Sequence, residues 1–163
     1  MIKIRNLYKS FKDNQVLKGF DLELYDGETL AIIGKSGCGK SVLLKNILGL
    51  MKPDSGSIFI DGDDITKMSF RQLQKIRLKF GMLFQSSALF DSMTVEQNVG
   101  IALRRYLNLS EKEVKRKISY CLNLVGLSKI ENLFPSELSG GMKKRVGLAR
   151  AIAMDPKYIL YDE

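Results

Sequence analysis

The sequence predicts an α/β domain. A mostly parallel sheet surrounds the strand leading into a glycine-rich loop, an antiparallel β region lies ahead of it, and an α-helical block is inserted between two β-type runs. Three observations carry this. The first 33 residues read as strands. GKSGCGKS separates a β-type run from a helical one. From about Thr94 to Phe134 the pattern is helical throughout, and β-type residues return only at KYILYD.

IKIRNL alternates apolar and polar residues, as a half-buried strand does. VLKGFDLELYDGETLAII places Asp26-Gly27 between two β-rich runs, which predicts a hairpin because glycine accepts the positive φ of a tight turn. KSVLLKNILGLM then has helical periodicity and ends before Pro53. SGSIFIDG reads as a short strand. A polar stretch with Arg71, Lys75, Arg77 and Lys79 leads into FGMLFQ, a further strand. In SEKEVKRKISYCLNLVGL, Val114, Ile118, Leu122 and Val125 share one helical face, while Lys112, Lys115, Arg116 and Lys117 take the wet side. The working division is one domain over 1–163, with a core and β region at 1–85 and 135–163, a helical subdomain at about 86–134, and a helix from Ser139. No internal repeat or long linker interrupts it.

Composition narrows the class. At 163 residues and 45% hydrophobic the chain can bury a core, and no run approaches the roughly 20 apolar residues of a membrane span. The formal charge of +8 is spread over helix faces, which favours solvation over nucleic-acid binding; a weaker reading is attraction to an anionic membrane leaflet. Cys38 and Cys121 form no CxxC pair and histidine is absent, so the cysteines read as reduced thiols and neither a zinc site nor a disulfide framework is predicted.

The chemistry resides in three short stretches. GxxxxGKS, from Gly34 through Gly37 and Gly39 to Lys40 and Ser41, is a phosphate cradle when a strand precedes it and a helix follows. Its backbone amides and helix terminus supply partial positive charge, Lys40 neutralises β and γ oxygens, and the Ser41 hydroxyl suits Mg²⁺. YILYDE supplies a hydrophobic strand ending in Asp162, placed for Mg²⁺, and Glu163, placed to deprotonate an attacking water. In LSGGM, Ser139 is a helix cap and Gly140 and Gly141 expose amides to an anion; by itself that stretch is equally a flexible cap.

Taken in order, GKSGCGKS, Gln85 in FGMLFQS, LSGGM and YILYDE resemble the nucleotide-binding domain of an ATP-binding cassette (ABC) ATPase over nearly the whole chain. The resemblance implies a P-loop NTPase core with a RecA-like sheet, and ATP and Mg²⁺ as cofactors. It implies ATP contacts by Phe11 (stacking on adenine), by Gly34, Lys35, Ser36, Gly37, Cys38, Gly39, Lys40, Ser41 and Val42, and across a subunit boundary by Ser139, Gly140 and Gly141. It further implies metal contacts by Ser41, Gln85 and Asp162, and catalytic roles for Lys40, Gln85 and Glu163. Implied partners are a second ATPase subunit in a head-to-tail homodimer and a transmembrane permease that docks after Gln85, where Leu89, Phe90 and Met93 would suit the contact if exposed and could equally pack within the helical block. The implied location is the cytoplasm, peripheral on the inner face of the inner membrane, with no nucleic-acid partner.

GMLFQSSALFDSMTVEQNV and ELSGGMKKRVGLARAIAMDP, with Met142 in place of the family's usual glutamine, resemble Mla-type, Mce-associated ATPases that drive phospholipid transport. An importer ATPase for an amino acid, metal or nucleotide shares most of these residues and is the alternative. The 97 residues between Ser41 and Ser139 leave no room for the long coiled coil of DNA-repair ABC proteins, and translation-type ABC proteins usually hold two cassettes. The family's domain continues beyond its Walker B acids to a histidine, which this sequence lacks. The expectation is therefore a C-terminally incomplete domain whose 163 residues hydrolyse ATP poorly, or an inert nucleotide-binding piece.

Overall fold

The computed structural model describes residues 1–162; the general-base assignment on Glu163 lies outside the described residues. The chain divides into two compact units, Met1–Arg77 and the residues from Leu78 onward.

The first unit is built on an antiparallel sheet of β1 (Ile2–Phe11), β2 (Asn14–Leu24), β3 (Ser55–Ile60) and β4 (Asp63–Asp64), in the order β2-β1-β3-β4. Alternation along β1 and β3 sends Ile2, Ile4, Ile58 and Ile60 to one buried face, where each contributes about 1.5–3 kcal/mol. The registers Ile2↔Ile60 and Ile4↔Ile58 set these side chains opposite one another. β1 and β2 join through a two-residue turn at Lys12–Asp13, with Lys12 in the left-handed region at φ 51°. Asp54 ties the end of β1 to the approach to β3, accepting from Lys9 Nζ at 2.7 Å and from the Ser10 amide at 2.6 Å.

The predicted hairpin at Asp26-Gly27 is half realised. The turn forms, with Gly27 at φ 84° and the Glu28 amide donating to Tyr25 O at 3.3 Å. The segment 28–34 that follows takes no strand conformation, a correction to the expectation of a strand leading into the loop. The reason lies in pairing. A strand exists through its ladder, and among the described residues none pairs with this segment; Leu30, Ile32 and Ile33 are exposed, Ile33 to 95%.

α1 (Lys40–Ile47) buries Leu43, Asn46 and Ile47. Gly49, at φ 60°, ends it, with its amide on Asn46 O and the Leu50 amide on Lys45 O. Beyond that, the Arg77 guanidinium donates to Leu48 O at 3.0 Å and to Gly49 O at 2.7 Å, closing carbonyls the helix leaves open and adding positive charge at its negative end. Arg77 comes from α2 (Phe70–Arg77), which turns part of the predicted polar stretch into a helix with Ile76 as its buried contact.

The second unit packs three helices beside two parallel strands, β5 (Phe80–Leu83) and β6 (Tyr158–Tyr161). α3 (Val95–Tyr106) and α4 (Glu111–Leu124) each begin with a reciprocal capping box, Thr94 with Gln97 and Ser110 with Glu113, each cap contributing about 1 kcal/mol. α5 (Gly140–Ile152) completes the layer. Val95, Val99, Leu103, Val114, Ile118, Leu122, Val146 and Ala149 form one continuous buried cluster, so Val114, Ile118 and Leu122 face inward as their spacing predicts. Arg104 joins α3 to α4 by pairing with both Glu96 and Glu111. Both cysteines are free thiols; Cys121 lies in the cluster, and burial raises its pKa above the ordinary thiol value.

Candidate functional site

Gly39 is the N-cap of α1 at φ 106°, and Gly37 precedes it at φ 77°. A side chain at Gly39 would carry its Cβ to 2.6 Å from Val16 Cγ1, so a glycine is required both by conformation and by the close approach of β2. No side chain caps the first turn of α1 and no acidic residue sits in it. Its amides, the helix dipole and the Lys40 ammonium therefore converge on the loop. Lys40 Nζ lies 3.1 Å from Gly34 O and 3.4 Å from Lys35 O, folded over the loop's own carbonyls. Lys35, Ser36, Gly37 and Cys38 are exposed, Ser41 and Val42 half-buried. The Cys38 amide donates to Lys35 O at 3.2 Å, and Cys38 Sγ would lie 2.6 Å from a Cβ at Gly34.

This donor set fits a polyphosphate: backbone amides and the Lys40 ammonium. A serine hydroxyl on the first helical turn fits a hard, oxygen-seeking cation such as Mg²⁺.

Phe11 ends β1 opposite Asn14, and β2 runs on from there to Val16 and Leu17, the residues that back Gly39. Its ring is 43% exposed rather than in the core, with Lys9 Nζ 5.8 Å from the ring centroid. The fold thus brings an accessible aromatic to the same end of the first unit as the loop.

In the second unit the parallel register runs from Phe80↔Tyr158 to Leu83↔Tyr161, and the Asp162 amide continues it onto Leu83 O at 3.0 Å. Asp162 and Gln85 accordingly leave the sheet at the same carboxyl end, the edge where open α/β sheets bind ligands. Ser139 caps α5, its Oγ accepting from the Met142 amide at 3.2 Å. Added Cβ atoms at Gly140 and Gly141 would meet nothing within 4 Å, so the start of α5 presents an open, amide-bearing surface.

Two residues singled out by no motif shape the segment after Gln85. Asn98, fully buried on α3, donates to Phe90 O at 3.1 Å, Met93 O at 3.0 Å and Thr94 O at 3.1 Å, and accepts from the Phe90 amide at 2.8 Å. A signal for it was available: an amide among Val95, Val99 and Leu103 on an apolar face. Arg150 of α5 donates to Ser87 O at 2.6 Å and Ala88 O at 2.7 Å; burial lowers its pKa, and the two carbonyls offset the cost of leaving water. Nothing in the sequence distinguishes it from neighbouring cations. The structure divides Leu89, Phe90 and Met93 between the two alternatives, exposure and packing within the helical block. Phe90 is exposed, but Leu89 and Met93 are half-buried, Leu89 against the helical cluster, because Asn98 draws the loop down onto α3.

The profile of the family described as ABC transporter matches residues 17–163. The probable ribonucleotide transport ATP-binding protein mkl of Mycobacterium leprae is 45% identical, over 99% of this chain and 47% of that protein. The intermembrane phospholipid transport system ATP-binding protein MlaF of Haemophilus influenzae is 42% identical, over 100% of this chain and 62% of that protein. The chain therefore spans about half the length of the curated relatives it matches. Among solved structures, the ATP-binding cassette MJ0796, a dimer in a post-hydrolysis state with ADP and Pi, superimposes with a TM-score of 0.94 at 34% identity, over 100% of this chain and 74% of that one.

Proposed function

This chain belongs to the ABC transporter family, and from that premise we propose that it is the ATP-binding part of a transporter subunit that binds and hydrolyses ATP, most consistent with a phospholipid system of the Mla type. The observation that carries the reading is the loop from Gly34 to Ser41, where an ammonium, uncapped helix amides and a close-packed glycine converge. Residues 1–163 are read as one ATPase domain.

In this reading Lys40 leaves the carbonyls of Gly34 and Lys35 for the β and γ oxygens, while the α1 amides hold the phosphate chain in place. Phe11 stacks on the base. The motifs assign Mg²⁺ to Ser41, Gln85 and Asp162, and the ion would screen the phosphate charge. Glu163 is assigned the proton of the attacking water. Ser139, Gly140 and Gly141 face the nucleotide of a second copy, and the segment after Gln85, with Phe90 exposed, meets a membrane-embedded permease. No described helix is long and apolar enough to cross a membrane, which suits peripheral attachment to such a partner on its cytoplasmic side.

Phosphate release by the complete gene product, compared with a Lys40→Ala variant, tests the reading; turnover independent of Lys40 would refute it. The cargo reading rests on likeness to MlaF and on the stretches around Gln85 and Ser139. A second reading, an importer of another small molecule such as a nucleotide, is favoured by the likeness to a protein described as a ribonucleotide transporter. Co-purification from native membranes separates them: a permease together with a lipid-binding partner supports the first, a permease with a soluble-solute receptor the second.

A further inference from the structure

Ser87 and Ala88 follow Gln85 at φ 62° and φ 44°, two successive non-glycine residues in the left-handed region. Each such residue costs on the order of 1–2 kcal/mol, so the bend persists only where something holds it. Three contacts do. The Ser87 amide donates back to Phe84 O at 2.8 Å. Gly147 lets α5 approach: a Cβ there would lie 3.0 Å from Leu83 Cδ1 and 3.3 Å from Ser87 Cβ. One turn further along α5, the Arg150 guanidinium takes the carbonyls of both strained residues. The guanidinium fork spans two adjacent carbonyls that a single ammonium cannot hold equally.

We infer that Arg150 is a positioning residue: by clamping the left-handed bend at Ser87–Ala88, it fixes where Gln85 leaves β5 and ties that placement to the helix that begins at Ser139. This rests on the proposed role of Gln85 in ATP turnover for its functional half, but not for its conformational half. α5 carries the open glycine pair at one end and the clamp at its third turn, so a rotation of α5 would be delivered to the bend through Arg150.

The test uses the complete gene product with Arg150→Met and Arg150→Lys variants. Amide hydrogen exchange across residues 84–90 is expected to quicken by about tenfold or more in Arg150→Met and by less in Arg150→Lys, while amides of α3 and α4 stay protected. Unchanged exchange at 84–90, or a rise spread equally over the helices, overturns the inference whether or not the protein turns over ATP. The second readout is a double-mutant cycle on kcat with Gln85→Ala. Arg150→Met alone is expected to lower kcat about tenfold with a smaller change in KM, and to cost nothing more once Gln85 is gone. Additive losses would show that Arg150 does not act through Gln85. Absence of Lys40-dependent turnover in the unaltered protein would count against the proposed function, and the exchange measurement would still decide the clamp.

Discussion

Replacing Asn98 by leucine is the sharpest probe of how the segment after Gln85 is held. The change keeps the branched shape and the number of side-chain heavy atoms and deletes four hydrogen bonds. Thr94 O keeps a partner, because the Asn98 amide also donates to it at 2.9 Å. Phe90 O likewise keeps the Met93 amide at 3.1 Å. The Phe90 amide and the Met93 carbonyl lose their partners. At about 1–3 kcal/mol for each buried group left unsatisfied, with part of the carbonyl loss repaid by water at this half-exposed loop, the net cost is about 2–4 kcal/mol. For a chain of this size that lowers the unfolding midpoint by roughly 5–12 °C. Thermal unfolding followed by circular dichroism gives the number. Asn98→Asp, which keeps the acceptor but loses all three donations and buries a charge, is expected to be at least as damaging. A midpoint within about 2 °C of the parent for Asn98→Leu would refute the reasoning, because it would mean that the loop finds equivalent partners without the amide.

Gly39→Ala is expected to weaken MgATP binding in a calorimetric titration by tenfold or more, since φ 106° and the 2.6 Å approach to Val16 both resist a methyl group; Gly37→Ala, strained but in open space, should do less, and equal effects would remove the steric part of the account. Asp54 has a pKa below the usual carboxylate value, chiefly through the hydrogen bond from Lys9 and then the Ser10 amide. A depressed folded-state pKa adds stability above the unfolded value and loses it as pH falls through the folded one. Asp54→Asn should therefore flatten the fall in unfolding midpoint below about pH 4 and be most destabilising near neutrality.

Much of the helical unit was legible because its signals are local. Thr94 and Ser110 begin capping boxes, and Val114, Ile118 and Leu122 repeat at the helical period and are buried together. Ser139 caps its helix as the motif suggests. The phosphate loop was legible for the same reason, since its conformation follows from glycines at fixed offsets. What the sequence left open depends on pairing at a distance. Leu30, Ile32 and Ile33 have strand composition, yet composition cannot supply a ladder partner. The turn at Lys12–Asp13 lacks the glycine that announces a hairpin, and it forms because the flanking strands pair on both sides. Arg77 and Arg150 were invisible because each acts on backbone carbonyls, which every residue possesses and no pattern marks; Asn98 left one mark, an amide on an otherwise apolar helix face.

The Arg77 contact has a bearing on the order of events during synthesis. An eight-residue helix is too short to persist by itself in water. Its last open carbonyls are closed by a side chain 28 and 29 positions downstream. While the chain is emerging from the ribosome, the phosphate loop is complete well before the arginine that secures the helix behind it. Nucleotide capture by the nascent chain should therefore lag the appearance of the loop itself, beginning only after Arg77 has cleared the exit tunnel.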